Sequence, residues 1–139
     1  MVSKAQEAVD MFNEGFICSQ AVLAALSDRL GLEKDLALKI ANGFGGGIAR
    51  KQLICGAVSG AIMLIGLKYG KTSAQDSISH ERTYSIIDKF CDEFEKRNKS
   101  IICKDILGCD MAKAREQGLF STTCSKCVKD AVDIVENLL

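Results

Sequence analysis

Leu53-Ile-Cys-Gly-Ala-Val-Ser-Gly-Ala-Ile-Met-Leu-Ile-Gly-Leu67 is a run of 15 residues without a charged side chain. A membrane span needs about 20 such residues, so this segment is expected to be a buried helix. Gly56 and Gly60, and Ala57 and Ala61, recur four apart and therefore share a helix face. A face so poor in side chains lets another backbone approach closely. The segment is expected to be the central helix, with its smooth face packed within the chain or across a homodimer.

Working outward, the chain has no proline, where roughly 5% is usual, so the commonest helix breaker is missing and glycine must punctuate. Ser3 can cap a first helix carrying Ala5, Val9 and Phe12, which breaks at Asn13-Glu-Gly15. A second runs from near Cys18, with Ala21, Val22, Ala25, Leu26 and Leu30 at helical spacing, to Gly31. Glu33 to Ala41 forms a third with Leu36, Leu38 and Ile40. Ser73 to about Lys99 reads as a long surface helix whose apolar face holds Ile78, Ile86, Ile87, Phe90 and Phe94. Short segments follow over Cys103–Asp110 and Met111–Gln117. A last helix, capped by Ser121-Thr-Thr, carries Val128, Ala131, Val132, Val135 and Leu138. No stretch shows the two-residue alternation of a strand, and there is no linker or repeat. The expected fold is all-α: a single-domain bundle over residues 1–139, with about five to seven helices around the Gly/Ala-rich one.

Composition narrows the function. The 139 residues carry 18 basic and 18 acidic side chains, so the basic excess of a nucleic-acid binder is missing. The first ten residues lack the apolar run of a signal peptide. With no leader and no span, the expected location is the cytoplasm, without membrane insertion. In that reducing compartment seven cysteines point to metal or redox chemistry more than to a disulfide framework.

Several motifs can be weighed on spacing. Gly66-Leu-Lys-Tyr-Gly70-Lys71-Thr72 is one residue too short for a phosphate loop and ends a helix. Gly43-Phe-Gly-Gly-Gly47 has Ile48 where a dinucleotide fingerprint needs glycine. It is either a positive-φ turn or a set of backbone N–H groups brought close to a cofactor, which makes Gly45, Gly46 and Gly47 candidate cofactor-binding residues. His80 stands alone in a polar helix and reads as a solvated side chain. Cys124-Ser-Lys-Cys127 puts two thiols one helical turn apart, suited to a redox pair or to two ligands of one metal, and no histidine follows for haem attachment. Cys18, Cys55 and Cys124 fall at expected helix starts, where free N–H groups favour thiolate. Cys91, between Phe90 and Phe94, reads as a core residue.

At Cys55-Gly-Ala-Val-Ser-Gly60 the chain resembles the family of redox-active proteins named for its cysteines and its CGAxxG motif. Gly15-Phe-Ile-Cys18-Ser-Gln-Ala-Val22, the glycine loop, Gly66 to Gly70, Cys103-x-x-Ile-Leu-Gly108-x-Asp110 and Cys124 with Val128-x-x-Ala131 extend the likeness over nearly the whole chain. The resemblance implies that Cys18, Cys55, Cys103 and Cys124 are the four working cysteines and converge in space. Cys91, Cys109 and Cys127 are then additions, and Cys109 or Cys127 could replace a neighbouring ligand, resolve a disulfide or do nothing. The leading expectation is an iron–sulfur cluster, [2Fe–2S], held by the four thiolates for electron transfer with a redox partner protein. The alternatives are a metal-free thiol/disulfide oxidoreductase using Cys55, Cys124 and Cys127, a structural zinc module, and a helical interaction module whose cysteines only pack. Whether the chain is an enzyme stays open at this point.

Overall fold

The computed structural model describes residues 2–139. Among these residues the fold is all-α, with eight helices, six of them at least seven residues long, and no strand. Helix α1 (Lys4–Glu14) opens on Ser3, whose hydroxyl accepts the Gln6 N–H, and stops at Gly15, whose φ of 123° suits glycine. Helix α2 (Cys18–Ser27) is buried along its whole length beyond Cys18. Its first turn is held by the Gln20 side chain, which accepts the Ile17 N–H. Helix α3 (Lys34–Ala41) follows a short turn closed by Gly31.

Helix α4 (Gly56–Tyr69) is the helix expected from the uncharged run, and it packs against α2 and against the long α5 (Ser77–Asn98) and the last helix, α8 (Ser125–Leu138). Its smooth face is used within the chain. A Cβ at Gly60 would stand 2.9 Å from the Ser19 carbonyl oxygen and 3.0 Å from Val22 Cβ, so the backbones of α2 and α4 nearly touch there. The centre of the bundle is therefore the α2–α4 pair and not one helix alone. Two short helices, α6 (Cys103–Leu107) and α7 (Met111–Glu116), cover one end. An isolated bridge, with Cys55 N–H donating to Ile101 O (2.8 Å) and Cys103 N–H to Leu53 O (2.6 Å), ties the start of α6 to the start of α4.

Three local expectations are corrected. In α3 the buried face is Ala37 and Ala41, while Leu36 and Ile40 are about half exposed (47% and 48%), because positions 36, 38 and 40 do not share one helix face. Ile78 lies off the buried face of α5 and is 74% exposed; Phe90 and Phe94 make the contact, their rings stacked at 5.9 Å. Ser121 and Thr122 do not cap the last helix. Their hydroxyls donate back to Gly118 O inside a π-helical turn, Phe120–Cys124, that runs straight into α8. No helix of the described residues is long and apolar enough to cross a membrane.

Two glycines of α4 should respond in opposite ways. Gly60→Leu must force α2 and α4 apart and should destabilise by about 1–3 kcal/mol or more. Gly66 has nothing within 4 Å of its missing Cβ, so Gly66→Ala should stabilise by about 0.5–1 kcal/mol. Thermal melting would show the midpoint falling for the first and rising for the second.

Candidate functional site

Five cysteines line one cavity of about 500 Å³. Cys18 is the first residue of α2, Cys55 immediately precedes α4, Cys103 opens α6, Cys124 ends the π-helical turn, and Cys127 lies one turn further into α8. The four cysteines selected from the sequence come together, and Cys127 joins them. Cys91 and Cys109 do not line the cavity. Cys91 packs beside the core on α5, while the Cys109 thiol points to its neighbour Leu107 O at 3.6 Å.

Close backbone packing brings the thiols together. A Cβ at Gly56 would collide with Cys18 Sγ, so glycine directly after Cys55 is what lets the two cysteine segments meet. Gly45, Gly46 and Gly47 line the same cavity, and the segment they open is left-handed. From Gly46 to Arg50 every φ is positive (65°, 65°, 67°, 48° and 69°), and Gln52 adds another at 57°. For a residue with a Cβ this conformation costs about 1–2 kcal/mol. The turn is held by Ala49 N–H to Gly43 O (3.1 Å), Gln52 N–H to Gly46 O (3.0 Å) and Leu53 N–H to Gly47 O (2.9 Å). Gly47 admits no side chain, since a Cβ would sit 2.8 Å from Cys103 Cβ. The glycine loop is thus the positive-φ turn, and its Gly46 N–H also faces the Cys18 sulfur.

The thiols are electrostatically unequal. Cys55 is held below the ordinary thiol range, first by a hydrogen bond from the Cys127 thiol and then, against the cost of burial, by the Ala57 and Val58 N–H groups at the start of α4. Burial pushes Cys18 up to about 11, with the Cys55 charge adding to it and the Gly46 and Ser19 N–H groups opposing. Burial likewise pushes Cys103 and Cys124 up to about 12, helped by the neighbouring thiolates. Cys127 is held protonated as donor to Cys55. The expectation that helix starts make thiolates therefore fails for Cys18 and Cys124, and at Cys55 the helix-start N–H groups only add to the larger effect of Cys127. At Cys124 burial comes first, and the π turn runs on into α8 with right-handed backbone (φ −68°, ψ −38°). At Cys18, burial outweighs the N–H groups.

Three features had little or no signal in the sequence. The Cys127 thiol has a second acceptor in Asn98 Oδ1 at 3.7 Å, and Asn98 is in turn fixed by Asp130 (3.2 Å) and Lys126 (3.1 Å). Only the Cys-x-x-Cys spacing hinted at Cys127, and nothing local marks Asn98, which arrives from the far end of α5. Arg50 and Arg115 line the cavity, whereas no histidine or carboxylate does. Among the described residues, no three His, Cys, Asp or Glu side chains are gathered to hold one metal ion. Among these residues the five thiols share one cavity without forming a single-ion site.

A helical bundle with one apolar cavity walled by thiols defines the class: a cysteine-site protein whose donors are all soft. The chain belongs to the family described as "Putative redox-active protein (C_GCAxxG_C_C)", whose model matches residues 16–138. In this chain the central motif reads Cys55-Gly56-Ala57-Val58-Ser59-Gly60, cysteine before glycine. Searches of curated proteins and of solved structures found no match.

Selective alkylation checks the thiol order. In reduced, cofactor-free protein at neutral pH, iodoacetamide should label Cys55 before the other cavity thiols, as read by peptide mass spectrometry. Cys127→Ala removes the donor and should move the pH midpoint of Cys55 labelling upward. Earlier labelling of Cys103 or Cys124 would refute the assignment.

Proposed function

We propose that this redox-active protein holds an iron–sulfur cluster, [2Fe–2S], on Cys18, Cys55, Cys103 and Cys124, and passes single electrons to and from a partner protein. The observation that supports this best is that five thiols line a cavity of about 500 Å³ with no imidazole or carboxylate among the described lining residues. Soft thiolates select iron–sulfur clusters, copper(I) or zinc. A cavity of this size leaves room for a group with several metal atoms, whereas one tetrahedral zinc ion needs four ligands about a single point.

Such a cluster, when bound, supplies one-electron chemistry. The chain's own residues do the rest. Cys55 enters with its proton most easily lost, and the remaining thiols give up theirs only as metal binds, so loading should release protons. The Gly46 N–H beside Cys18 and the Ala57 and Val58 N–H groups beside Cys55 stabilise sulfur charge. Apolar walls that include Phe12, Phe16 and Phe120 limit water at the site. Reduced thiols are required throughout, which suits the cytoplasmic location expected from the sequence.

A second reading, metal-free thiol/disulfide exchange, is favoured by Cys55 and Cys127 lining the same cavity, with the Cys127 thiol lowering the proton affinity of Cys55. In that reading the Cys55 thiolate attacks a substrate disulfide and displaces one thiolate. Cys127, losing its proton, then attacks the Cys55 sulfur and displaces the second, leaving a Cys55–Cys127 disulfide and two electrons on the substrate.

Anaerobic purification separates the two. The cluster reading expects brown protein with about two iron and two sulfide per chain, lost in Cys18→Ser, Cys55→Ser, Cys103→Ser and Cys124→Ser and kept in Cys91→Ser. Colourless, iron-free protein whose Cys55 and Cys127 cycle between dithiol and disulfide would establish the second reading instead.

A further inference from the structure

Among the described residues, Arg50 and Arg115 are the only charged side chains that line the thiol cavity, and both are exposed. Among the described residues neither guanidinium has an ion-pair partner. Both line the same cavity as Met111. Arg50 Cγ and Met111 Cε lie 3.2 and 3.3 Å from where a Gly46 Cβ would be, and Arg115 is four residues beyond Met111 on α7, hence on the same helix face. Arg50 reaches this position from a left-handed backbone, φ 69°. Strain held by a non-glycine residue beside a site is a sign of placement. In a chain of net charge zero, two cations at one cavity whose described lining holds no carboxylate leave a local positive excess that an anion would relieve.

We propose that Arg50 and Arg115 form an anion clamp at the cavity, which binds the carboxylates of a small thiol or disulfide and directs its sulfur end toward the cysteines. Guanidinium groups recognise carboxylates with paired hydrogen bonds. About 500 Å³ is the size of a small-molecule pocket. The inner wall is apolar and sulfur-lined, complementary to the non-ionic end of such a ligand. The inference rests on reading this cavity as the working thiol site in its metal-free, thiol-exchange form, where the volume stays open, and adds to that reading the class of ligand that enters it.

Glutathione, a small thiol with two carboxylates, is the probe, and titration calorimetry on anaerobically purified protein at low salt is the measurement. Binding should weaken as salt is raised. It should also weaken at least about tenfold in the Arg50→Gln, Arg115→Gln double variant, and by a similar factor when glutathione diethyl ester replaces glutathione. Thermal melting of the double variant provides the folding control, and single Arg50→Gln and Arg115→Gln variants, each intermediate in affinity, keep the test usable should the double variant unfold. Equal affinity of wild type and folded variants for glutathione overturns the clamp. Inorganic phosphate binding as tightly as glutathione overturns the choice of a thiol ligand, and binding of an acidic protein without any binding of glutathione overturns the small-molecule class. The cluster reading fails separately, by absence of iron and sulfide, and the arginine dependence of glutathione binding does not rescue it.

Discussion

The close approach of α2 and α4 is the contact on which the site depends. Gly56 and Gly60 put the start of one helix against the backbone of the other, with Gly60 facing Ser19 O and Gly56 facing Cys18 Sγ. Side chains at these positions would wedge the helices apart and carry Cys18 away from Cys55. The same packing supplies core energy, since Val22, Leu23, Leu26, Val58, Leu64 and Ile65 are all essentially inaccessible. Stability and site geometry therefore share one interface, and a substitution there should damage both together.

Around this pair, the remaining cysteines arrive on elements that a simple bundle would not need. The bridge between Ile54 and Ile102 sets Cys103 beside Cys55, and the π turn swings Cys124 toward the cavity ahead of α8. Extra residues in a helix often mark functional positions. The left-handed turn at 46–50 is the costliest device of the three, and it places both a backbone N–H and an arginine at the cavity. Local backbone strain is concentrated where the thiols meet, while the helices that carry it are regular.

Much of this was legible in the chain. The uncharged run Leu53–Leu67 announces α4, and Ser3 and Gly15 mark the ends of α1, while Gly31 closes the 3-10 turn that follows the end of α2 at Ser27. The cysteines could be selected because their segments resemble a known family, and they do share a cavity. Illegible features are those set by tertiary contact. Ala37 and Ala41, not Leu36 and Ile40, face inward because α3 lies close against α2, where Ser19 Oγ donates to Ala41 O at 2.7 Å and small residues fit better than large ones. The thiol charges also escaped the sequence, because helix-end position is local but burial is not: Cys18 and Cys124 lose to desolvation what Cys55 keeps through a neighbour 72 positions away. Arginines lining a cavity have no spacing signature at all.

The claim that these thiols enclose a metal–sulfur group is tested most directly by X-ray absorption at the iron edge of anaerobically purified protein. The account predicts a first shell made only of sulfur, together with an iron–iron scattering path, as four cysteine thiolates and bridging sulfide require. A first shell of nitrogen and oxygen, an isolated iron atom, or no bound iron at all would contradict it.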